Sequence, residues 1–182
     1  MQIKQVMRVN GGDKGLRDLI NDLKKKLGEE ITLIEVGSFM GESAEIFAEM
    51  LPKSKIYCID PFESGYDNAD SASSFDFKEV ENQFDIRASK FNNINKLKCY
   101  STDVKMQCDV VYIDGLHTYE GVKADILHWK NLASGAICGH DYYKDKEFIK
   151  MHPHIEGVNR AVIELLGIPD KNYSDSSWLV WQ

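Results

Sequence analysis

Five short apolar runs in this sequence lead into residues able to do chemistry: Gly37 after Ile31–Val36, Asp60 after Lys55–Ile59, Asp103 just past Leu97–Tyr100, Asp114 after Asp109–Ile113, and His140-Asp141 after Gly135–Gly139. A carboxylate can accept hydrogen bonds from hydroxyls or bind a hard cation, and an imidazole can exchange a proton near neutral pH. Asp114 and Asp141 end neighbouring runs and could converge on one divalent cation, for which oxygen donors suit Mg2+. His140 beside them shifts the preference toward Mn2+, Zn2+ or Fe2+. Asp114 and His140 also suit plain hydrogen bonding without a metal. His117, three residues beyond Asp114, is a candidate general base, the alternative being a helix cap or packing residue.

The stretch Glu35-Val-Gly-Ser-Phe-Met-Gly-Glu-Ser43 is a candidate cofactor loop. Glycines at 37 and 41 let a chain turn tightly from a strand into a helix and approach a ligand closely. A Gly-x-x-x-Gly spacing by itself reads as any tight turn. Asp60, at the end of the next apolar run, adds an acceptor for the two ribose hydroxyls of an adenosine cofactor. A dinucleotide would call for Gly-x-Gly-x-x-Gly, with its pyrophosphate on the helix N-terminus. Here Ser38-Phe39-Met40 intervene, the third glycine is missing, and Glu35 and Glu42 flank the turn. Carboxylates there repel a pyrophosphate and tolerate the sulfonium and ammonium of S-adenosylmethionine. A nicotinamide-dependent oxidoreductase and a non-catalytic S-adenosylmethionine-binding protein are the alternatives.

On these residues the sequence resembles class I S-adenosylmethionine-dependent methyltransferases. Glu35–Gly41 looks like their motif I, and Asp60 like their acidic ribose-binding residue. Ser101-Thr102-Asp103 matches the position that often holds the adenine, a turn or cap being the other reading of Asp103. Asp114-Gly-Leu-His-Thr-Tyr-Glu-Gly-Val-Lys-Ala-Asp125 followed by Gly135–Tyr142 is similar to a bacterial family with the pattern Asp-Gly-x-His-x-Tyr, related to sugar O-methyltransferases. The resemblance spans residues 30–182. It implies cofactor contacts from Glu35, Gly37, Ser38, Phe39, Gly41, Ser43, Asp60, Pro61, Thr102, Asp103 and Asp114, with His117 as general base and Asp114 beside it. It implies O-methylation of a small-molecule acceptor such as a sugar or glycan precursor. Metal-dependent relatives carry two adjacent acidic residues after strand five; here the first of them is His140.

Strands alternating with helices must hold these residues. Leu16, Leu19, Ile20, Leu23 and Leu27 form one helical stripe, which Asp13 could cap and Gly28 stop. Ala44–Met50, Phe77–Phe91, Tyr119–Lys130 and Val158–Leu166 supply further helices, and Ser177–Trp181 a last strand. The predicted fold is α/β, a Rossmann-like three-layer sandwich with a mostly parallel sheet of about 6–7 strands and helices on both faces. Residues 1–28 form an N-terminal segment and helix, and 29–182 the core of a single domain. The polar loop from Pro61 to Ser74, with Tyr66, reads as a lid. Trp129, Trp178 and Trp181 read as core, and His152 and His154 as a surface loop.

The 182 residues, 43% of them apolar, suffice for a full core. A net charge of −7 argues against a nucleic-acid groove. Four cysteines without a CxxC pair argue against disulfides or zinc and for a reducing, cytoplasmic setting. No run reaches the length of a membrane span, so no membrane partner is expected, while a homo-oligomer is compatible with the sequence.

Overall fold

Central strands that are apolar on both sides need cover on both faces, and the computed structural model provides it. It describes residues 12–67, 70–151 and 155–182; the surface loop expected at His152 and His154 lies outside them. The chain runs α1 (Lys14–Leu27), β1 (Thr32–Val36), α2 (Glu42–Met50), β2 (Lys55–Ile59), α3 (Phe77–Ala88), β3 (Ile94–Leu97), β4 (Cys108–Ile113), α4 (Tyr119–Trp129), β5 (Ala133–Gly139), α5 (Lys146–Met151), α6 (Glu156–Leu166), β6 (Lys171–Asn172) and β7 (Trp178–Trp181). The seven strands form one sheet in the order β3-β2-β1-β4-β5-β7-β6. β1 to β5 are mutually parallel, and β7 is antiparallel to β5 and β6. This is the expected Rossmann-like layer order. The strand order reverses between β1 and β4, the crevice where such sheets bind ligands.

Alternation along β1 divides the core. Leu33 joins α1, α2 and α3 on one face, packed around Leu16, Leu19, Phe47 and Phe84. Ile34 and Val36 join α4 and α6 on the other, around Ile126, Trp129, Val162 and Trp178. Trp129 and Trp178 are fully buried, as core residues should be. Trp181 lies partly buried beneath the Lys26 ammonium.

Three local readings need correction. Strand three occupies Ile94–Leu97, not Leu97–Tyr100. It pairs with Ile56–Ile59, and the Asn95 amide donates to the Ile56 carbonyl, so a polar residue that looks like a strand breaker anchors this edge. Asp13 does not cap α1 with its side chain; its carboxylate instead takes Arg17 at 2.6 Å. Asp145, which carries no apolar stripe after it, starts the unforeseen α5 by accepting from the Glu147 and Phe148 amides. No helix among the described residues is long and apolar enough to cross a membrane.

Candidate active site

The loop after β1 is shaped by glycine. Gly37 has φ +84°, and a Cβ there would stand 2.1 Å from the Asp114 carbonyl oxygen. The segments leaving β1 and β4 can therefore approach only because position 37 lacks a side chain. Phe39 (φ 46°) and Phe62 (φ 53°) also lie in the left-handed region, which costs an L-residue energy. Asp60 holds both: its carboxylate accepts from Phe39 N at 2.8 Å and from Phe62 N at 2.7 Å. Burial raises the Asp60 pKa, and these two amides oppose the rise.

By strand alternation Glu35 points under the loop, toward α2, and is fully buried. Burial raises its pKa, moderated by Ser38, Ser43 and Cys58. Glu42 is paired with Arg87 at 3.9 Å, so part of the negative charge expected at the turn is compensated.

Above the loop lies a cavity of about 800 Å³, within the usual range for small-molecule sites. Of the expected contacts, Gly37, Ser38, Phe39, Ser43, Asp60, Pro61, Thr102 and Asp114 line it. Glu35, Gly41 and Asp103 are not brought to its wall: Glu35 lies beneath, Gly41 turns the chain into α2 against Phe84, and Asp103 is exposed on a 3-10 turn. The Ser38 side chain is buried beside Glu35 and Cys58. Eight carboxyl groups line the cavity, and no Lys or Arg does among the described residues. That field favours a cationic ligand and opposes a pyrophosphate.

The loop after β2 covers one side. Phe39 meets Phe75 and Phe77 edge-on, and Tyr66 meets Phe77. Tyr66 donates to Asp70, and Tyr100 donates to Glu63 across the mouth at 2.6 Å. Sequence reasoning flagged Tyr66 and a lid but missed Tyr100, Glu63 and Asp70, because nothing local in the sequence pairs residues on separate loops.

At the other end His117 and His140 meet Asp114, Asp141 and Asp70. His117 Nε2 lies 3.2 Å from Asp141 and 3.6 Å from Asp114, while its Nδ1 lies 3.6 Å from Asp70. His140 Nδ1 lies 3.2 Å from Asp141 and 3.9 Å from Asp114. Donor atoms of Asp114, His140 and Asp141 all fall within 4.8 Å of one another, close enough to share one ion. Burial would lower the His117 pKa, but Asp114, Asp141 and Asp70 outweigh it and raise it to about 9. Burial likewise would raise Asp141, but His140 and His117 bring it well below the usual carboxylate range. Asp141 also sits at φ 62°, a strained conformation at the end of β5.

Asp125, the last residue of the Asp114–Asp125 motif, lies on α4 and was given no role from the sequence. Its carboxyl is 7% exposed and lines the cavity. Burial raises its pKa to about 6, with Ser101 and His128 opposing. A carboxyl whose folded pKa exceeds its unfolded value of about 4 binds more protons when folded, so stability falls as pH rises through that window. Asp125→Asn, which removes the charge and keeps the shape, should therefore be more stable near pH 7 by about 2 kcal/mol. Urea unfolding on both sides of the transition checks this: the wild type should lose stability between about pH 4.5 and 7, and the variant should lose less.

Comparison with known proteins agrees with this architecture. A magnesium protoporphyrin IX methyltransferase from Synechocystis PCC 6803, solved with bound S-adenosylhomocysteine, superposes with a TM-score of 0.60 at 13% identity, covering 97% of this chain and 86% of that one. A protein assigned as a caffeoyl-CoA O-methyltransferase from Staphylococcus aureus gives 0.66 at 13% identity, covering 99% and 86%. The N-methyltransferase NodS from Bradyrhizobium japonicum WM9 gives 0.60 at 11% identity, covering 96% of both chains. At these identities the likeness is one of fold. A search of curated protein sequences gives no significant match. The profile described as "Methyltransferase domain" matches residues 34–142, from within β1 to just past Asp141. That is more than half of the sequence, and the chain belongs to the methyltransferase domain family.

Proposed function

We propose that the protein is an S-adenosylmethionine-dependent O-methyltransferase acting on a small hydroxylated acceptor such as a sugar or glycan precursor. The observation that carries the reading is one continuous cavity joining the Gly37 loop and Asp60 to the His117 cluster, with carboxylates and no Lys or Arg on its described wall. A sulfonium cofactor with a free ammonium suits that charge. A dinucleotide suits neither the charge nor the turn. When bound, S-adenosylmethionine supplies an electrophilic methyl group.

The protein's own tasks are then to orient the acceptor and receive its proton. Asp60 would take the ribose hydroxyls. His117, at the start of α4 behind the Thr118 cap, would receive the acceptor proton, with Asp114 and Asp141 fixing the imidazole. Asp114, His140 and Asp141 would hold a divalent cation, Mg2+ or, given the imidazole, Mn2+, whose chemistry there is to polarise a bound hydroxyl.

Calorimetry with S-adenosylmethionine, S-adenosylhomocysteine and NADH tests the cofactor, with binding expected for the first two only. Transfer of labelled methyl to a panel of sugars and polyols, with and without Mg2+ or Mn2+, tests the reaction. Binding of NADH alone would sink the cofactor reading. Methylation confined to amines would sink O-methylation.

A further inference from the structure

The loop after β2 delivers a carboxylate to the His117 end of the cavity. Asp70 stands between the 3-10 turn at Ser71–Ser74 and the imidazole, and its two oxygens divide the work. Oδ1 accepts from the Ala72 amide at 2.8 Å and caps the turn. Oδ2 accepts from the Tyr66 hydroxyl at 3.1 Å and lies 3.6 Å from His117 Nδ1. The placement is braced. The Asp70 carbonyl accepts from Ser73 N, Gly65 N donates to the Ser73 carbonyl, and Tyr66 meets Phe77 edge-on. Only 15% of the Asp70 side chain is exposed, although it springs from a polar loop. Capping the turn needs one oxygen; the other faces an imidazole.

That imidazole is approached from opposite sides. Nε2 faces the strand ends, with Asp141 at 3.2 Å and Asp114 at 3.6 Å, and Nδ1 faces the loop and Asp70. Asp114 and Asp141 also belong, with His140, to the donors close enough to share one ion. Asp70 belongs to no such group among the described residues, so its carboxylate is the one left to serve the ring alone. A neutral imidazole carries a single N–H. A carboxylate beside one nitrogen keeps the proton there and leaves the lone pair on the other.

We propose that Asp70 is a positioning residue for His117, accepting the Nδ1–H so that the Nε2 lone pair receives the acceptor's proton. This inference rests on His117 as the base of the proposed reaction. As the acceptor oxygen bonds to the methyl carbon, the carbon–sulfur bond breaks with its electron pair left on sulfur, and the hydroxyl proton passes to Nε2. Asp70 stays ionised against the imidazolium so formed. The 3.6 Å separation is that of an ion pair, and catalytic contacts of this kind tighten when the acceptor binds.

Asp70→Asn separates this role from the turn. The asparagine carbonyl can keep the Ala72 amide, which turns its –NH2 toward Tyr66 and Nδ1. An N–H facing Nδ1 drives the ring proton to Nε2, the wrong nitrogen for the task. In labelled-methyl transfer by the full chain, kcat should fall about tenfold to a hundredfold, with acceptor KM and S-adenosylhomocysteine affinity within about threefold of wild type. The urea midpoint should stay in place, since the cap survives. Tyr66→Phe leaves the Asp70–His117 contact standing and should change kcat by less than about threefold. In a His117→Ala background Asp70→Asn should cost nothing further, because a positioning residue acts only through the residue it positions. A brace for the loop with no link to His117 would raise KM or lower the rate by the same factor in both backgrounds. Either result overturns the proposal, as does an unchanged kcat, and each leaves the methyltransferase reading standing. A full rate in His117→Ala, or no transfer by wild type to any hydroxyl, overturns both.

Discussion

His117→Ala is expected to lower methyl transfer by at least about a hundredfold while leaving S-adenosylmethionine affinity within about threefold, because the imidazole would serve the acceptor's proton and not the cofactor. His117 is the one imidazole among the described residues that touches Asp70, Asp114 and Asp141 together, at 3.2 to 3.6 Å. Those carboxylates, working against burial, hold it charged up to about pH 9. An imidazolium cannot receive a proton, so in chelated protein the rate should climb as pH rises toward that value and level off beyond it. His117→Ala should abolish the climb along with the rate. Initial rates with the best acceptor of the panel, measured from about pH 6 to 10 beside calorimetry at one pH, check both statements. A profile of unchanged shape in the variant would assign the proton to another group, and a lost affinity would place His117 in the cofactor site.

The layer order and most strands could be read from the sequence because buried parallel strands are short apolar runs, and each here ends on a polar residue. Gly37, Asp60, Asp114 and His140-Asp141 stood out for that reason, and they do surround one cavity wall. Contacts that depend on side-chain direction could not be read that way. Glu35 lies in the cofactor loop by sequence, but alternation along β1 turns it beneath the loop. Asp125 closes the Asp114–Asp125 motif, but it sits amid a helical stripe of Val122, Ile126 and Trp129, and only the fold brings that polar position to the cavity. Asp103 had the right position along the chain, but the chain turns it outward after Ser101 is fastened to Trp129. The edge strand β3 was misplaced because its anchors are asparagine amides, which resemble loop residues in sequence. Legibility thus ended where a residue's task is set by a partner far along the chain.

Asp60→Asn should separate two roles that share one side chain. Its carboxylate accepts from the amides of Phe39 and Phe62, the two phenylalanines with positive φ, at 2.8 and 2.7 Å. An asparagine has one carbonyl oxygen, so whichever way it turns, its own N–H faces a backbone N–H. With the residue only 7% exposed, water cannot relieve that opposition, and one strained turn is left unheld. Removing the charge relieves the burial that raises the Asp60 pKa and offsets part of this, so a net stability loss of about 1 kcal/mol is expected. The second role is toward the cofactor, where each carboxyl oxygen keeps a lone pair for a ribose hydroxyl. Losing that charge-assisted contact should weaken S-adenosylmethionine by about tenfold to a hundredfold. Urea unfolding measures the first effect. Calorimetry at a temperature where the variant is fully folded measures the second. A folded variant with unchanged affinity would make Asp60 a brace for the two turns and no ribose ligand. A variant that keeps its stability yet loses affinity would mean that the ribose hydroxyls, rather than the turns, account for the carboxylate at the end of β2.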